Sequence, residues 1–132
     1  MYNAGRALGL ASPRIYECIF SGNVAGSAGG GIFNDAFDAG ISSPTLINCI
    51  ISGNVAGFGG GVYNYASNAG TTDPVFINCV LSGNRADGAL NGSGGGMSNN
   101  FDMTTISINP TLINCIVWEN APEFSNINSA TV

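Results

Sequence analysis

Four copies of a ten-residue block dominate this sequence, and each copy follows a proline. The blocks occupy residues 14–23, 45–54, 75–84 and 111–120 and read RIYECIFSGN, TLINCIISGN, VFINCVLSGN and TLINCIVWEN. A second block, GGGIFN, GGGVYN or GGGMSN, lies between successive copies at residues 29–34, 59–64 and 94–99. A repeat of about 30 residues constrains the fold more strongly than local propensity does, because it identifies a chain built from stacked units.

Both blocks have the composition of short strands that end in turns. Each is a β-branched or aromatic run closed by Gly or Asn, and no stretch has the period of a helix. The repeat therefore predicts an all-β parallel β-solenoid, in which equivalent residues lie about 4.8 Å apart along the axis. We expect a single domain, 1–132, of about four coils: coil 1 (1–31), coil 2 (32–61), coil 3 (62–96) and coil 4 (97–132). The extra length at 85–93 and around 103–106 is typical of loop insertions.

Stacked coils align equivalent side chains in columns. The predicted structural ladder consists of Cys18, Cys49, Cys79 and Cys115 together with Asn23, Asn54, Asn84 and Asn120. We expect buried free thiols, because side chains stacked in parallel do not point at each other as a disulfide requires. We expect each of these Asn residues at a left-handed turn position, with its amide in an internal ladder. The glycine triplets predict bends that are too tight for a β-carbon.

These motifs also resemble a known family. Gly-Gly-Gly-aliphatic paired with aromatic-x-x-Asn, as at 29–32 and 20–23, resembles the repeats of bacterial polymorphic outer-membrane proteins. More broadly, Pro-x-Leu-x-Asn-Cys-x-x-x-Gly-Asn is similar to surface and secreted right-handed parallel β-helix proteins. The resemblance covers nearly the whole chain, and it implies a right-handed parallel β-helix in an extracellular or bacterial cell-surface location. It is specific for fold but not for function. Coil 4 departs from the pattern at Trp118 and Glu119, and is a candidate cap.

Two adjacent apolar columns flank the turn in the middle of the ten-residue block. Because strand residues alternate between faces, we assign Leu46, Cys49 and Ile51 to the interior, and Ile47 and Ile50 to the exterior. The exterior stripe is the candidate assembly surface, and its residues are Tyr16, Ile47, Ile77, Ile113, Ile19, Ile50, Val80 and Ile116. Such a stripe exceeds what a soluble monomer usually exposes. Cover by the loops 34–43 or 99–108, an intermolecular contact, and a wrong facing assignment are all open.

The two ends of the chain lie near the same phase of the repeat. Asn3 precedes a proline by ten residues, as the matching Asn of coil 3 does, and the chain finishes near Ile127 and Asn128. A solenoid end exposes unpaired backbone groups unless it is capped. The candidate end contacts are therefore Met1, Tyr2, Asn3, Ile127 and Asn128. Head-to-tail stacking into a filament and a fragment of a longer passenger are the two interpretations.

Charge and composition exclude several classes of function. Only 8% of the residues are charged, with three basic side chains, no histidine and a net charge of −5. Without a basic surface or an 18-residue apolar run, we expect no nucleic-acid partner and no membrane insertion. We expect no cofactor and no metal, since four collinear thiols cannot form a zinc tetrahedron. Asp35 and Asp38 lack a basic partner, so we expect no enzyme.

The sequence favours an extracellular structural protein that self-assembles head to tail into a fibre or filament, so that its partner is itself. The alternative is a passenger segment of a surface adhesin that binds a glycan or a host or cell-surface protein. Tyr2, Phe33 and Tyr63 share a column and form a possible aromatic strip for such a ligand. A carbohydrate-active β-helix enzyme ranks third.

Overall fold

The strands of this chain pair in parallel, each with its equivalent in the next coil. The computed structural model describes residues 1–88, 94–102 and 107–122, together with the backbone of 124–126. These residues form strands, turns and bends, and no helix occurs among them. The predicted all-β parallel β-helix, or β-solenoid, is confirmed.

The strands fall into four successive groups along the chain. Coil 1 contains β1 (Tyr2–Arg6), β2 (Leu10–Ala11), β3 (Arg14–Tyr16) and β4 (Ile19–Ser21). Coil 2 contains β5 (Ile32–Phe37), β6 (Ile41–Ser42), β7 (Thr45–Ile47), β8 (Ile50–Ser52) and β9 (Val55–Ala56). Coil 3 contains β10 (Val62–Ser67), β11 (Val75–Ile77), β12 (Val80–Ser82) and β13 (Arg85–Ala86). Coil 4 contains β14 (Met97–Asp102), β15 (Thr111–Ile113), β16 (Ile116–Trp118) and β17 (Phe124–Asn126).

Three main sheets run along the solenoid. Sheet 1 has the order β1-β5-β10-β14-β17, sheet 2 the order β15-β11-β7-β3, and sheet 3 the order β16-β12-β8-β4. Two short sheets pair β2 with β6 and β13 with β9. In sheets 2 and 3, β3 and β4 form one edge and β15 and β16 the other. Sheets 2 and 3 therefore run from coil 1 to coil 4, whereas sheet 1 has one strand more, because β17 pairs with β14 beyond the last strands of the other two.

The number of turns differs slightly from the prediction. From β1 to β14 the described chain completes three turns, and coil 4 is described only in part. The count is thus about three turns rather than about four. The predicted insertion at 85–93 begins too early, because Arg85–Ala86 form β13 and pair with β9 of coil 2. Residues 89–93 and 103–106 lie outside the described residues, so the rest of these two loop predictions stay predictions.

The core follows from alternation within strands of only three residues. In β7 the central Leu46 points inward, and beyond the next turn Cys49 and Ile51 do the same, each at most 1% exposed. The buried cluster consists of Ile32, Leu46, Cys49, Ile51, Val62, Phe76, Cys79, Leu81 and Met97. Burial of each large side chain contributes about 1.5–3 kcal/mol. The stack of coils is held together chiefly by this axial column of apolar contacts.

The turn prediction for the ladder asparagines is wrong by one residue. Positive φ occurs at Gly22, Gly53, Gly83 and Glu119, the residues directly before Asn23, Asn54, Asn84 and Asn120. Glycine takes this conformation without steric cost. The bend is therefore made by the preceding residue, and the asparagine that follows keeps its side chain directed into the solenoid. A further left-handed column, Glu17, Asn48, Asn78 and Asn114, separates sheet 2 from sheet 3.

The glycine triplets combine two separate constraints. Gly29 has a φ of +66°, a conformation that side chains rarely adopt. Gly30 does not, but a β-carbon built on it would lie 2.4 Å from the carbonyl oxygen of Gly60 in the next coil. Only the first glycine is needed for the turn, whereas the second permits the coils to approach each other closely.

Candidate assembly site

The asparagines of the ten-residue block form a continuous ladder inside the solenoid. Asn23 Nδ2 donates to Asn54 Oδ1 at 2.8 Å, and Asn54 and Asn84 each donate in the same way to the next coil at 2.9 Å. Each Oδ1 also accepts the backbone N–H of the preceding ladder residue at 3.0 Å. The Asn54 amide donates as well to the carbonyl oxygen of Phe20. Asn54 and Asn84 are fully buried, so these bonds replace water completely.

A second asparagine ladder runs through sheet 1, and sequence reasoning missed it. Asn34 donates to Asn64 at 2.8 Å, Asn64 donates to Asn99 at 2.7 Å, and Asn3 makes a longer contact of 3.4 Å to Asn34. The sequence feature that could have predicted this ladder is the Asn that ends every glycine-triplet block. Asn3, predicted to be an end contact, is one of its members: it is 7% exposed and also donates to Ser42 Oγ and the carbonyl oxygen of Ala11.

Both ladders end in the same way at coil 1. In each ladder the amide of one coil donates to the oxygen of the next, so the first member has no earlier coil from which to accept. Asn23 Oδ1 and Asn3 Oδ1 accept no hydrogen bond from the described part of the chain. Asn23 is exposed, in contrast to Asn54 and Asn84. We call the surface formed by the free side of β3 and β4, with these acceptors, the coil 1 face.

The cysteine column shows the same gradient. All four thiols are free, as expected, and Cys49 and Cys79 are buried at 1% exposure. The expected burial is wrong for Cys18, which is exposed, and incomplete for Cys115, which is half-buried, because each has a neighbouring coil in the column on one side only. Cys79 Sγ donates weakly to the carbonyl oxygens of Leu46 and Ile77. Burial raises the pKa of the Cys79 thiol, which keeps it protonated and unreactive.

The candidate assembly surface lies on the exterior of sheets 2 and 3. Ile19 is 68% exposed, Ile116 61% and Tyr16 52%, whereas the equivalent residues of the inner coils, such as Ile47 and Ile77, are half-buried between their neighbours. Residues 34–43 and the described part of 99–108 leave Ile19, Ile116 and Tyr16 exposed. In the described residues, the chain's own loops therefore do not cover this surface.

The predicted N-terminal end contacts mostly bind coil 2. The Met1 amino group donates to the carbonyl oxygen of Gly31 at 2.5 Å, and burial lowers its pKa. Tyr2 Oη donates to Asp35 Oδ2 at 2.5 Å on the outer side of sheet 1. Desolvation, followed by the Asp35 hydrogen bond, raises the pKa of Tyr2. Ile127 and Asn128, the other predicted end contacts, lie outside the described residues.

The aromatic column and the carboxylates are engaged in packing. Tyr2, Phe33 and Tyr63 meet edge to face, with ring centroids 5.3 and 5.1 Å apart, so they present no flat platform. Asp35 is 3% exposed and pairs with Arg6 as well as Tyr2, so the expectation that it lacks a basic partner is wrong. Asp38 accepts a hydrogen bond from Asn68. These contacts tie neighbouring coils together on the outside.

The described residues show neither a metal-binding cluster nor a membrane-spanning helix. Within the described residues, no three His, Cys, Asp or Glu side chains are grouped so that they could hold a metal ion. The same part of the chain contains no helix long and apolar enough to cross a membrane. Comparison with protein-family models, with curated proteins and with solved structures finds no match to this chain. The resemblance to outer-membrane protein repeats therefore stays a prediction.

Proposed function

We propose that this chain is an extracellular structural protein that assembles by stacking the coil 1 face of one copy on coil 4 of another. The contact is heterologous, because two different surfaces meet, and it need not close into a ring. Its product is a filament in which the solenoid continues from copy to copy.

The observation that carries this proposal is the free acceptor of Asn23. In every inner coil this position accepts two hydrogen bonds, from a backbone N–H and an Nδ2 of the preceding coil. The carboxamide of Asn23 offers the same oxygen at the same place in the repeat. A partner with a matching asparagine and the same strand register fills this position with no change in coil 1, but β1 of coil 1 then takes the place of the partner's β17 beside β14, so the proposal requires β17 to be displaced.

Apolar contact supports the same arrangement. Ile15, Phe20 and Cys18 occupy core columns, yet they are only half-buried or exposed because no described coil lies on their free side. An edge of parallel strands with unpaired backbone groups and apolar side chains is a template for a further strand. One more coil of the same kind buries these side chains as Leu46, Ile51 and Cys49 are buried in coil 2.

Sedimentation velocity over a range of concentrations, with negative-stain images, tests the proposal. We expect larger species as the concentration rises and unbranched filaments one solenoid wide. The variant Phe20→Lys, which places an ammonium group on the coil 1 face, should abolish them. Asn23→Ala changes an exposed side chain and is expected to fold, so it tests the same face should Phe20→Lys unfold.

Val75→Lys is the matched control. It introduces the same charge at a half-buried position of β11 in coil 3, outside both the coil 1 face and the candidate assembly surface, and should leave filament formation intact. Circular dichroism establishes that each variant is folded. Folded wild-type protein that stays monomeric at all concentrations contradicts the proposal.

A second candidate is a passenger segment of a surface adhesin. The coil 1 face accepts a further coil of the same polypeptide as readily as one from another copy, and the outer side of sheet 1 carries Tyr65 beside Tyr63 with their rings nearly parallel. Glycan-array binding by the Phe20→Lys variant, lost in Tyr65→Ala, would favour this candidate. No binding to glycans would count against a glycan ligand.

A further inference from the structure

The coil 4 end of sheet 1 is closed by β17, the last strand in the order of that sheet. β17 pairs in parallel with β14, and the paired residues are Phe124 with Met97, Ser125 with Ser98, and Asn126 with Asn99. In the described part of the chain, sheets 2 and 3 have no strand beyond β15 and β16. A strand of the chain itself therefore occupies the place that the first strand of an added coil would take.

β1 of a second copy fits the same side of β14. One column of sheet 1 contains, from coil to coil, Tyr2, Phe33, Tyr63 and Ser98. Continuing that register by one coil puts Tyr2–Arg6 of the second copy beside Ser98–Asp102. β1 is five residues long and β17 is three, and each further pair in a parallel ladder adds to the backbone hydrogen bonding. β1 therefore offers the longer ladder on this edge.

The free side of β1 carries the backbone donors that this pairing needs. Phe33 N–H donates to the carbonyl oxygen of Met1 at 2.8 Å, so the Met1 backbone faces β5. Because alternate residues of a strand bond to opposite neighbours, the N–H groups of Tyr2, Ala4 and Arg6 face away from β5. In the continued register these three N–H groups point at β14 of the other copy.

Opposite charges meet on the outer side of sheet 1 in this register. Arg6 of the second copy lies directly beside Asp102, and both side chains are exposed. Arg6 already binds Asp35 of its own copy, but a guanidinium has five N–H donors and can contact a second carboxylate. The pair gives β14 a reason to accept β1 that a strand of unrelated sequence does not supply.

The inner side of the same strand continues an asparagine ladder. Asn64 donates to Asn99 in the ladder of sheet 1, and the continued register puts Asn3 of the second copy next to Asn99. Asn3 Oδ1 accepts no hydrogen bond from the described part of its own chain. The occupant that fits β14 on both sides of the strand is therefore a second copy of this chain.

We propose that β1 of one copy displaces β17 of another and takes its place beside β14, so that each junction of the filament forms by strand exchange. This inference rests on the proposed stacking. Within one copy β17 is tethered beside β14, at an effective concentration on the order of millimolar. Exchange begins only where the longer ladder and the added side-chain contacts outweigh that advantage. β17 thus keeps single copies apart at low concentration.

A proline in β17 tests the exchange by promoting assembly, which ordinary damage to the fold would not do. In the pattern of sheet 1 the N–H of Ser125 faces the carbonyl oxygen of Met97, as that of Phe33 faces Met1. Ser125→Pro removes this donor and weakens β17. The concentration needed for assembly in sedimentation velocity should therefore fall by about tenfold.

Ser125→Ala is the matched control, because it keeps the N–H and should leave the assembly concentration unchanged. Circular dichroism checks that both variants are folded. An unchanged or higher assembly concentration in folded Ser125→Pro overturns the exchange.

Hydrogen exchange measured by mass spectrometry follows both strands in the intact protein. On assembly, the peptide that contains β1 should gain protection at the N–H groups of Ala4 and Arg6, and the peptide that contains β17 should lose protection. Peptides from β10, which lies inside sheet 1, are the internal control and should not change. Filaments that Phe20→Lys abolishes but in which β17 stays protected keep the coil 1 face as the junction and overturn the exchange.

Asp102→Lys tests the register of the exchanged strand. It puts a like charge beside Arg6 of the next copy and should raise the assembly concentration by about fivefold at low ionic strength. The difference from wild type should disappear in about 1 M salt, because screening removes the repulsion. Asp87→Lys makes the same change of charge in coil 3, away from the junction, and is the control.

These results separate the exchange from the stacking on which it rests. Equal shifts in Asp102→Lys and Asp87→Lys overturn the register that places Arg6 beside Asp102, while filaments that depend on Phe20 still support the stacking. Wild-type protein that never assembles overturns the stacking and the exchange together.

Discussion

Coil 1 and coil 2 have almost the same sequence pattern, yet they differ sharply in burial. Cys18, Phe20 and Asn23 are exposed or half-buried, whereas Cys49, Ile51 and Asn54, their equivalents, are at most 1% exposed. The backbone conformation is the same in both, with positive φ at Gly22 and Gly53. The difference is that coil 2 lies between two neighbours and coil 1 has one.

This comparison shows that burial in a solenoid belongs to the pair of neighbouring coils and not to a coil by itself. Each coil is thin, so a side chain directed inward is covered by the coils before and after it. The residues of coil 1 are suited to a core that only a further coil completes. Three experiments test how far the two coils differ, beginning with the largest effect.

Thiol alkylation should separate the two coils most strongly. At a concentration too low for assembly, Cys18 should react at a rate close to that of a free thiol. Cys49, at 1% exposure, should react more slowly by a factor on the order of 1,000 or more, because the coils around it must open first. Mass spectrometry of peptides after timed quenching measures both rates.

Unfolding in denaturant supplies the control, since all four cysteines should then react at similar rates. Equal reactivity of Cys18 and Cys49 in the folded protein would mean that the two coils are equally open, and it would remove the basis of the comparison.

Alanine substitution of a buried ladder asparagine should cost several kcal/mol more stability than the same change at the exposed end of the ladder. Asn84→Ala leaves the Asn54 amide and the backbone oxygen of Ile51 without their buried partners, and should lower the free energy of unfolding by about 4 kcal/mol. Asn23→Ala, the same change at the exposed end, should lower it by about 1 kcal/mol or less. Urea unfolding followed by circular dichroism measures both. Equal losses would show that the open end is not energetically different from the interior.

The smallest expected effect is a loss of stability at alkaline pH. Burial raises the pKa of the Cys79 thiol above its ordinary value of 9.0. The stability that comes from keeping this thiol neutral is complete below about pH 9 and declines above it, because the unfolded thiol ionises first. The contribution of this group should therefore fall as the pH rises from 8 to 10. Urea midpoints of Cys79→Ala should show a weaker pH dependence than those of wild type, and an equal pH dependence would contradict the prediction.

The sequence predicts columns well and turn geometry poorly. Alternation gives the direction of Leu46 and Ile47, because a strand has only two faces and the repeat supplies the register. It does not identify which residue of Gly53-Asn54 takes the positive φ, since both types tolerate that conformation. The ladder through Asn34 and Asn64 was missed for another reason. Asparagine at the end of a block is typical of a turn, and only the fold shows that it lies inside a strand.

Trp118 is a second case in which the sequence indicates an unusual position but not its structural environment. The sequence marks it as a departure from the repeat and favours a cap, but it does not specify how much of the ring contacts the chain itself. Exposure to water depends on the packing around it, which is a property of the three-dimensional structure. The position was therefore identifiable as unusual from the sequence, and its exposure to water only from the structure.

The hydrogen bonds that join one ladder asparagine to the next share one sense in both ladders, since in each of them Nδ2 of a lower-numbered coil donates to Oδ1 of a higher-numbered one. The rows of amide dipoles therefore add along the axis and do not cancel. Two copies that met with their coil 1 faces together would oppose oxygen to oxygen and repel. A fibre of this protein would be polar, with two chemically different ends that need not grow at the same rate.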